Sequence, residues 1–321
     1  MAAIHHYLSQ FLLRNFCSGP KPKIWAYDKA TGKSFETNVH NVGGERNFNE
    51  IEIGDRILSL EEGLGELEAK VAPILQGIIA ARSIGNLSED DRINLAVFIA
   101  TQMQRGPHSR EHIMAVDAGL QKALRDRGID PADVQDYTEM TVDDAKALSL
   151  MMLSKPNEIP FQILNKSWLL FETDAAHPFY ISDNPVVRQN LLPRKNPLMG
   201  NLGLVDVGIE IYLPISCTMM LAFYCRSHEQ VICQGVEKWR ISTVRNPALN
   251  TPNFSELLKW MRAFRTGVAL DYAPENVLNH NALQVWHAER YIFSSLPNFA
   301  LVEDMLRNEP RYRVGPRPHI N

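Results

Sequence analysis

The chain has 321 residues, of which 45% are apolar and 22% charged, and its formal net charge is −4. That usage excludes a disordered or low-complexity chain and leaves room for a sizeable core. The near-neutral balance lacks the basic excess that drives non-specific nucleic-acid binding, so a nucleic-acid partner needs a local patch.

Four cysteines without a CxxC pair give neither a disulfide framework nor a zinc site. No basic stretch followed by an apolar core opens the chain, and no apolar run reaches the ~20 residues of a membrane span. The expectation is a cytoplasmic protein with reduced thiols, no membrane partner and no cofactor. The sequence carries no signal for an oligomeric state.

HHYLSQFLLRNF comes first. Ser9 is a good cap residue, which predicts a helix over about 10–16 with His5, His6 and Tyr7 extended before it. An imidazole near a helix start is biased toward its neutral form, able to act as base, acceptor or ligand. The alternative is a histidine that pins the terminus. KIWAYDKATGKSFET follows as a hairpin around Ala30-Thr31-Gly32.

From Ile57 to about Arg82 the apolar period turns helical, with Gly63 and Gly65 weakening the first turns and Pro73 interrupting later. Ser88 and Asp91 form a capping box for the next helix, whose INLAVFIA middle is apolar nearly all round, and Gly106-Pro107 stops it. Pro107 then starts an amphipathic helix, with shorter helices to about Leu164. Gln102 and Arg105 end the buried helix on its apolar side, so each needs a partner or a ligand. An arginine fork there suits a carboxylate or phosphate, and the alternative is an internal salt bridge to Glu66 or Glu68. His108 and His112 stand at i,i+4, a metal-ligand spacing, but without an HExxH glutamate or a third ligand they read as surface histidines.

Near Trp168 the pattern changes to strands. SWLLFET, HPFYISD, VGIEIYLPI and CTMMLAFYC predict an antiparallel sheet, with the long loop RQNLLPRKNPLMGNLG among them. Ser182-Asp183-Asn184-Pro185 ends one strand, either as a functional edge or as a turn. Helices around FSELLKWMRAF and ENVLNHNALQVWHAE and a last strand, RYIFSS, complete the chain. The fold class is therefore α+β: a mostly helical N-terminal half after a short hairpin, packed on an antiparallel sheet from the C-terminal half. Residues 1–305 are expected to form one domain. Residues 306–321 are expected to be a basic, solvated tail carrying Arg307, Arg311, Arg313 and Arg317 against Glu309.

HHYLSQFLLRNF, IWAYDKATGK, IATQMQRGPHSR, FYISDNPV and IYLPIS, in this order, resemble a bacterial family of unknown function, the domain-of-unknown-function family 4238. The resemblance departs at Ser9, where the family usually has proline. It implies His6, Tyr7, Gln102, Arg105, Arg110, Asp183 and Asn184 as signature polar positions. If these converge, the leading expectation is a metal-independent hydrolase of a phosphate ester or phosphodiester, such as a nucleotide or RNA, with a toxin or phage-defence nuclease as one version. His6 would be the acid/base and Asp183 would orient it or activate water. Arg105, with Arg110, would hold the phosphate, while Tyr7, Gln102 and Asn184 bind substrate. The rivals are a non-catalytic module that binds a small anionic ligand and a buried structural network.

Overall fold

A computed structural model describes residues 4–17, 19, 21–54, 56–193, 200–245 and 254–318. The chain begins with β1 (Ile4–His6), α1 (Gln10–Arg14), the hairpin β2 (Lys23–Asp28) and β3 (Lys33–Asn38), β4 (Gly44–Arg46) and a second hairpin, β5 (Glu50–Ile53) and β6 (Arg56–Ser59). Five helices follow: α2 (Glu61–Ala81), α3 (Glu89–Arg105), α4 (Pro107–Arg125), α5 (Val142–Ser154) and α6 (Ile159–Leu164). Strands β7 (Ser167–Glu172), β8 (Ile181–Ser182), β9 (Val187–Asn190), β10 (Ile209–Pro214) and β11 (Met219–Tyr224) come next. The chain continues with α7 (Arg226–Arg245), α8 (Phe254–Thr266), β12 (Leu270–Asp271), α9 (Pro274–His287), β13 (Tyr291–Ser294) and α10 (Ala300–Asn308). The class is α+β, as the sequence predicts.

Local chemistry accounts for most boundaries. The first hairpin turns where Gly32 takes a positive φ of 69° and its N–H reaches the Asp28 carbonyl at 2.8 Å. Ser88 and Asp91 make the expected capping box, and α4 starts on Pro107. Helix α7 is an addition to the sequence reading: RSHEQVICQGVEKWRISTVR mixes β-branched residues and Gly235 into a weak helical pattern. Part of the predicted loop, residues 194–199, lies outside the described residues.

The central sheet has the order β12-β7-β11-β10-β9, antiparallel except for the β12–β7 pair. Its central strands β7, β10 and β11 are buried on both faces, so alternation there separates two cores rather than core from water. Leu170, Ile211, Leu213, Leu221 and Phe223 face a core with Leu75 of α2 and Leu95, Phe98 and Ile99 of α3. Leu169, Phe171, Tyr212, Met220 and Ala222 face a second core with Ala263 of α8 and Val277 of α9. A second sheet, β3-β2-β13-β8, joins the N-terminal hairpin to the last strand of the chain, with Tyr27 opposite Ile292. Sheet residues therefore come from both ends of the sequence. No helix among the described residues is long and apolar enough to cross a membrane.

The C-terminal segment is partly exposed but anchored at its end, and the 305/306 boundary falls inside α10. Arg313 donates to the Lys29 carbonyl at 2.9 Å, and Arg317 grips Glu289 with two 2.8 Å bonds and meets Glu111 at 3.2 Å. Arg311 pairs with Glu309 at 2.6 Å and Arg307 lies 3.9 Å from Asp304. The expected free polycationic tail is thus neutralised internally; residues 319–321 lie outside the described residues.

Three enclosed imidazoles set the response of the fold to acid. Burial holds His108 and His287 down to about 4 and His280 to about 3. Each is neutral when folded but takes a proton near 6.5 when unfolded, so the stability they contribute is complete above pH 6.5 and lost as pH falls toward 4. Asp183, raised to about 6 by burial, takes up one proton in the fold and partly offsets them. Near pH 5 the unfolded chain binds about two more protons from these four groups, a slope of roughly 2–3 kcal/mol per pH unit. Denaturant midpoints measured from pH 7 to 4.5 should fall, and a flat profile would contradict this account.

Candidate functional site

One side of α2 carries Glu61, Leu64, Gly65, Glu68, Ala69 and Ala72, spaced i, i+3, i+4, i+7, i+8 and i+11, which places them in one stripe. That stripe forms a wall of a cleft of about 420 Å³. The other side comes from His6, Gln10, Phe11 and Arg14 in the β1–α1 segment, and Arg105 closes one end from the last residue of α3. The volume suits a small molecule, for which pockets of roughly 300–1,000 Å³ are usual. Gly65 keeps its part of the wall open: a Cβ built there meets no protein atom within 4 Å. A mid-helix glycine costs about 1 kcal/mol relative to alanine, so the opening is kept against helix stability.

Behind the wall runs a buried polar chain. Arg105 Nη1 donates to Glu68 Oε1 at 2.6 Å, and Ser9 Oγ donates to the same oxygen at 2.8 Å. Gln102 Nε2 in turn donates to Ser9 Oγ at 3.3 Å. The Glu68 salt bridge is one of the two partners that the sequence offered for Arg105. It leaves two atoms unmet: Arg105 Nε and Gln102 Oε1 have no hydrogen-bond partner, although Arg105 is only 5% and Gln102 1% exposed. Ser9 precedes α1 as expected but makes no side-chain cap bond, since its hydroxyl is committed to Glu68.

The histidine pair divides its roles. His5 is buried, its Nδ1 accepting from the Asn49 N–H at 3.2 Å, and is the residue that pins the terminus. His6 is half-buried and faces the cleft. Its Nε2 lies 3.1 Å from the His40 carbonyl, which makes Nε2 the protonated nitrogen, and the Gln10 amide nitrogen stands 3.2 Å from both Nδ1 and Nε2. Burial lowers the His6 pKa, with Arg105 pulling it further down and Glu61 pulling it up. The imidazole is therefore neutral at pH 7.

Besides Gln102, which stands behind the wall, four of the seven predicted site residues do not line the cleft. Asp183 spends its carboxylate on backbone: Oδ1 accepts from the Glu289 N–H at 2.8 Å, and Oδ2 from the Arg290 and Tyr291 N–H groups at 2.7 and 2.8 Å. It neither touches His6 nor lines the cleft, which corrects the expectation that it orients the imidazole or activates water. Asn184 Nδ2 donates to the His287 carbonyl at 3.1 Å, closing the C-terminal end of α9 instead of holding substrate. Lys29 joins the same end, with Nζ donating to the Val285 and Ala288 carbonyls at 2.8 and 2.6 Å. Arg110 lies 3.6 Å over the Phe48 ring and donates to the Phe48 carbonyl, while Tyr7 is buried with its ring 5.1 Å from the same phenyl. Of the seven signature residues, His6 and Arg105 line the cleft and Gln102 backs it.

Glu61, Gly65, Gln10 and Arg14 are cleft residues that sequence reasoning missed. Their only local signal was the i, i+3, i+4 stripe with a glycine where a helix prefers another residue. Among the described residues no group of three or more His, Cys, Asp or Glu side chains is placed to hold a metal ion. His108 Nε2 donates to the Met103 carbonyl at 2.8 Å, and its Nδ1 is buried without a partner, so it is not the surface histidine expected.

The Asp183 geometry makes a separable prediction. Asp183→Asn replaces an acceptor by an amide whose N–H₂ confronts N–H donors and removes the charge facing Lys29. It should cost about 2–4 kcal/mol in denaturant unfolding, while ligand affinity at the cleft changes less than about twofold in the folded fraction.

No curated protein and no solved structure matches the chain. A family model does, over residues 4–297, which takes in the cleft, the buried polar chain behind it and the Asp183 contacts. By that match the chain belongs to the family described as protein of unknown function (DUF4238).

Proposed function

We propose that the cleft between α1, α2 and the end of α3 binds a small molecule through an anionic group seated on Arg105. The observation that carries this reading is the Arg105 guanidinium at the cleft wall, where Glu68 engages Nη1. A carboxylate or phosphate in the cleft would share the same guanidinium from its open side.

His6 supports a second reading, hydrolysis of a phosphate ester or phosphodiester. Its protonated Nε2 is held by the His40 carbonyl, so Nδ1 offers a lone pair toward the cleft, shared with the Gln10 amide. A water giving its proton to Nδ1 would attack phosphorus as the P–O bond to the alcohol breaks, the proton on Nδ1 then passing to the leaving alkoxide, while Arg105 steadies the developing charge. Asp183 has no part in this scheme.

Calorimetric titration of ethyl phosphate separates the cases. Arg105→Lys keeps the charge beside Glu68 but removes the guanidinium, and affinity should fall about ten- to hundredfold. Gly65→Ala should raise stability by about 0.5–1 kcal/mol and still weaken binding, because its methyl enters the cleft. Affinity unchanged by Arg105→Lys would overturn the binding reading. Turnover of p-nitrophenyl phosphate that His6→Gln leaves intact would remove the hydrolytic one and spare the first.

A further inference from the structure

The cleft is not uniformly basic, and its charges are ordered along α2. Glu61 stands at the N-terminal end of the stripe, and Glu68 with Arg105 at the other. Seven residues of helix separate the two glutamates, a rise of about 10 Å. Between them the wall is apolar or bare, with Leu64 and Gly65. The two carboxylates are not equivalent. Glu68 is neutralised by Arg105, whereas the ion-pair contact of Glu61 among the described residues is a 4.0 Å approach to His5 Nδ1, the nitrogen that accepts from the Asn49 N–H. Asn49 Nδ2 fixes Glu61 Oε1 at 2.6 Å, and Arg14, the other arginine lining the cleft, makes no ion pair with it among the described residues but donates to Gln10 Oε1 at 3.1 Å. His6 lines the same cleft and feels both ends, the Arg105 charge and the Glu61 charge acting on it in opposite directions.

We infer that the ligand is zwitterionic: an anion on Arg105, a short apolar spacer across Leu64 and Gly65, and an amine seated on Glu61. The inference rests on the anion-binding reading above and adds the chemistry of the far end. A phosphate or carboxylate alone leaves Glu61 as an unbalanced carboxylate in the same cleft, which repels the ligand. An ammonium at the other end converts that repulsion into attraction, and the spacer lies along the open Gly65 stretch without displacing protein atoms.

The test uses two probes that differ only in that amine, 5-aminopentyl phosphate and pentyl phosphate, titrated into the full chain at low ionic strength. The amine should tighten binding by about three- to tenfold, and added salt should erode the difference. Glu61→Gln, which keeps the Asn49 contact, should cut the preference to within about twofold and improve pentyl phosphate, with melting confirming that the variant is folded. Equal or tighter binding of pentyl phosphate to the unaltered protein overturns the zwitterion inference and leaves the anion site standing. If neither probe binds, the anion reading falls and this inference with it.

Discussion

A single buried carboxylate organises the C-terminal half of the molecule. Asp183 follows β8, and its two oxygens collect the backbone N–H groups of Glu289, Arg290 and Tyr291, the residues that lead from α9 into β13. Those donors belong to a bend that neither a helix nor a sheet ladder satisfies, and burying them unmet would cost about 1–3 kcal/mol each. Asn184 and Lys29 close the same end of α9 from the carbonyl side, so the helix terminus receives a cation and an amide where its dipole is negative. Lys29 arrives from the N-terminal hairpin and Asp28 next to it pairs with Arg290 at 2.8 Å, so the contact joins the two ends of the chain. It adds a charged clasp to a β2–β13 pairing that otherwise rests on backbone bonds and apolar packing such as Tyr27 against Ile292.

The second polar chain does a different job. Gln102, Ser9, Glu68 and Arg105 tie the α1 cap, α2 and the end of α3 at one point, and there the accounting does not close. Around Asp183 three donors meet two oxygens with good geometry. Around Arg105 a guanidinium N–H and an amide oxygen are left over. Fully satisfied buried polar groups rigidify a fold, and each one left unmet costs about 1–3 kcal/mol. The same contrast distinguishes the glycines. Gly106 is required by crowding, whereas Gly65 is surrounded by nothing that requires it.

How much of this was legible in the sequence depends on the range of the interaction. Ser88 with Asp91, Gly32 in its turn and Pro107 at a helix start act within four residues, and all three predicted their local structure. The doubly buried strands read as near-continuous apolar runs for the same reason. Helix α7 escaped because its β-branched residues and Gly235 dilute the helical pattern. The site was only half legible. Asp183 and Asn184 look like catalytic residues at a strand end because nothing within the neighbouring residues shows that their partners lie about a hundred positions on. Arg105 was readable as a buried cation with Glu68 as a candidate partner, but Glu61 and Gly65 carry meaning only once α2 is laid against α1.

The two polar centres are not independent, and Gly106 is where they meet. It follows Arg105 directly, and a Cβ at that position would lie 2.5 Å from His108 Nδ1 and 3.1 Å from the Asp183 carbonyl oxygen. Its φ of −75° is open to any residue, so the need for glycine is one of space and not of backbone strain. The close approach sets the height at which α3 ends against β8, and with it the position from which Arg105 reaches Glu68. Asp183 and Asn184 hold the strand end beside Gly106, and Arg105, the residue before it, reaches Glu68 in the cleft wall. A residue acting in this way supports the fold around the cleft while contributing no atom to it.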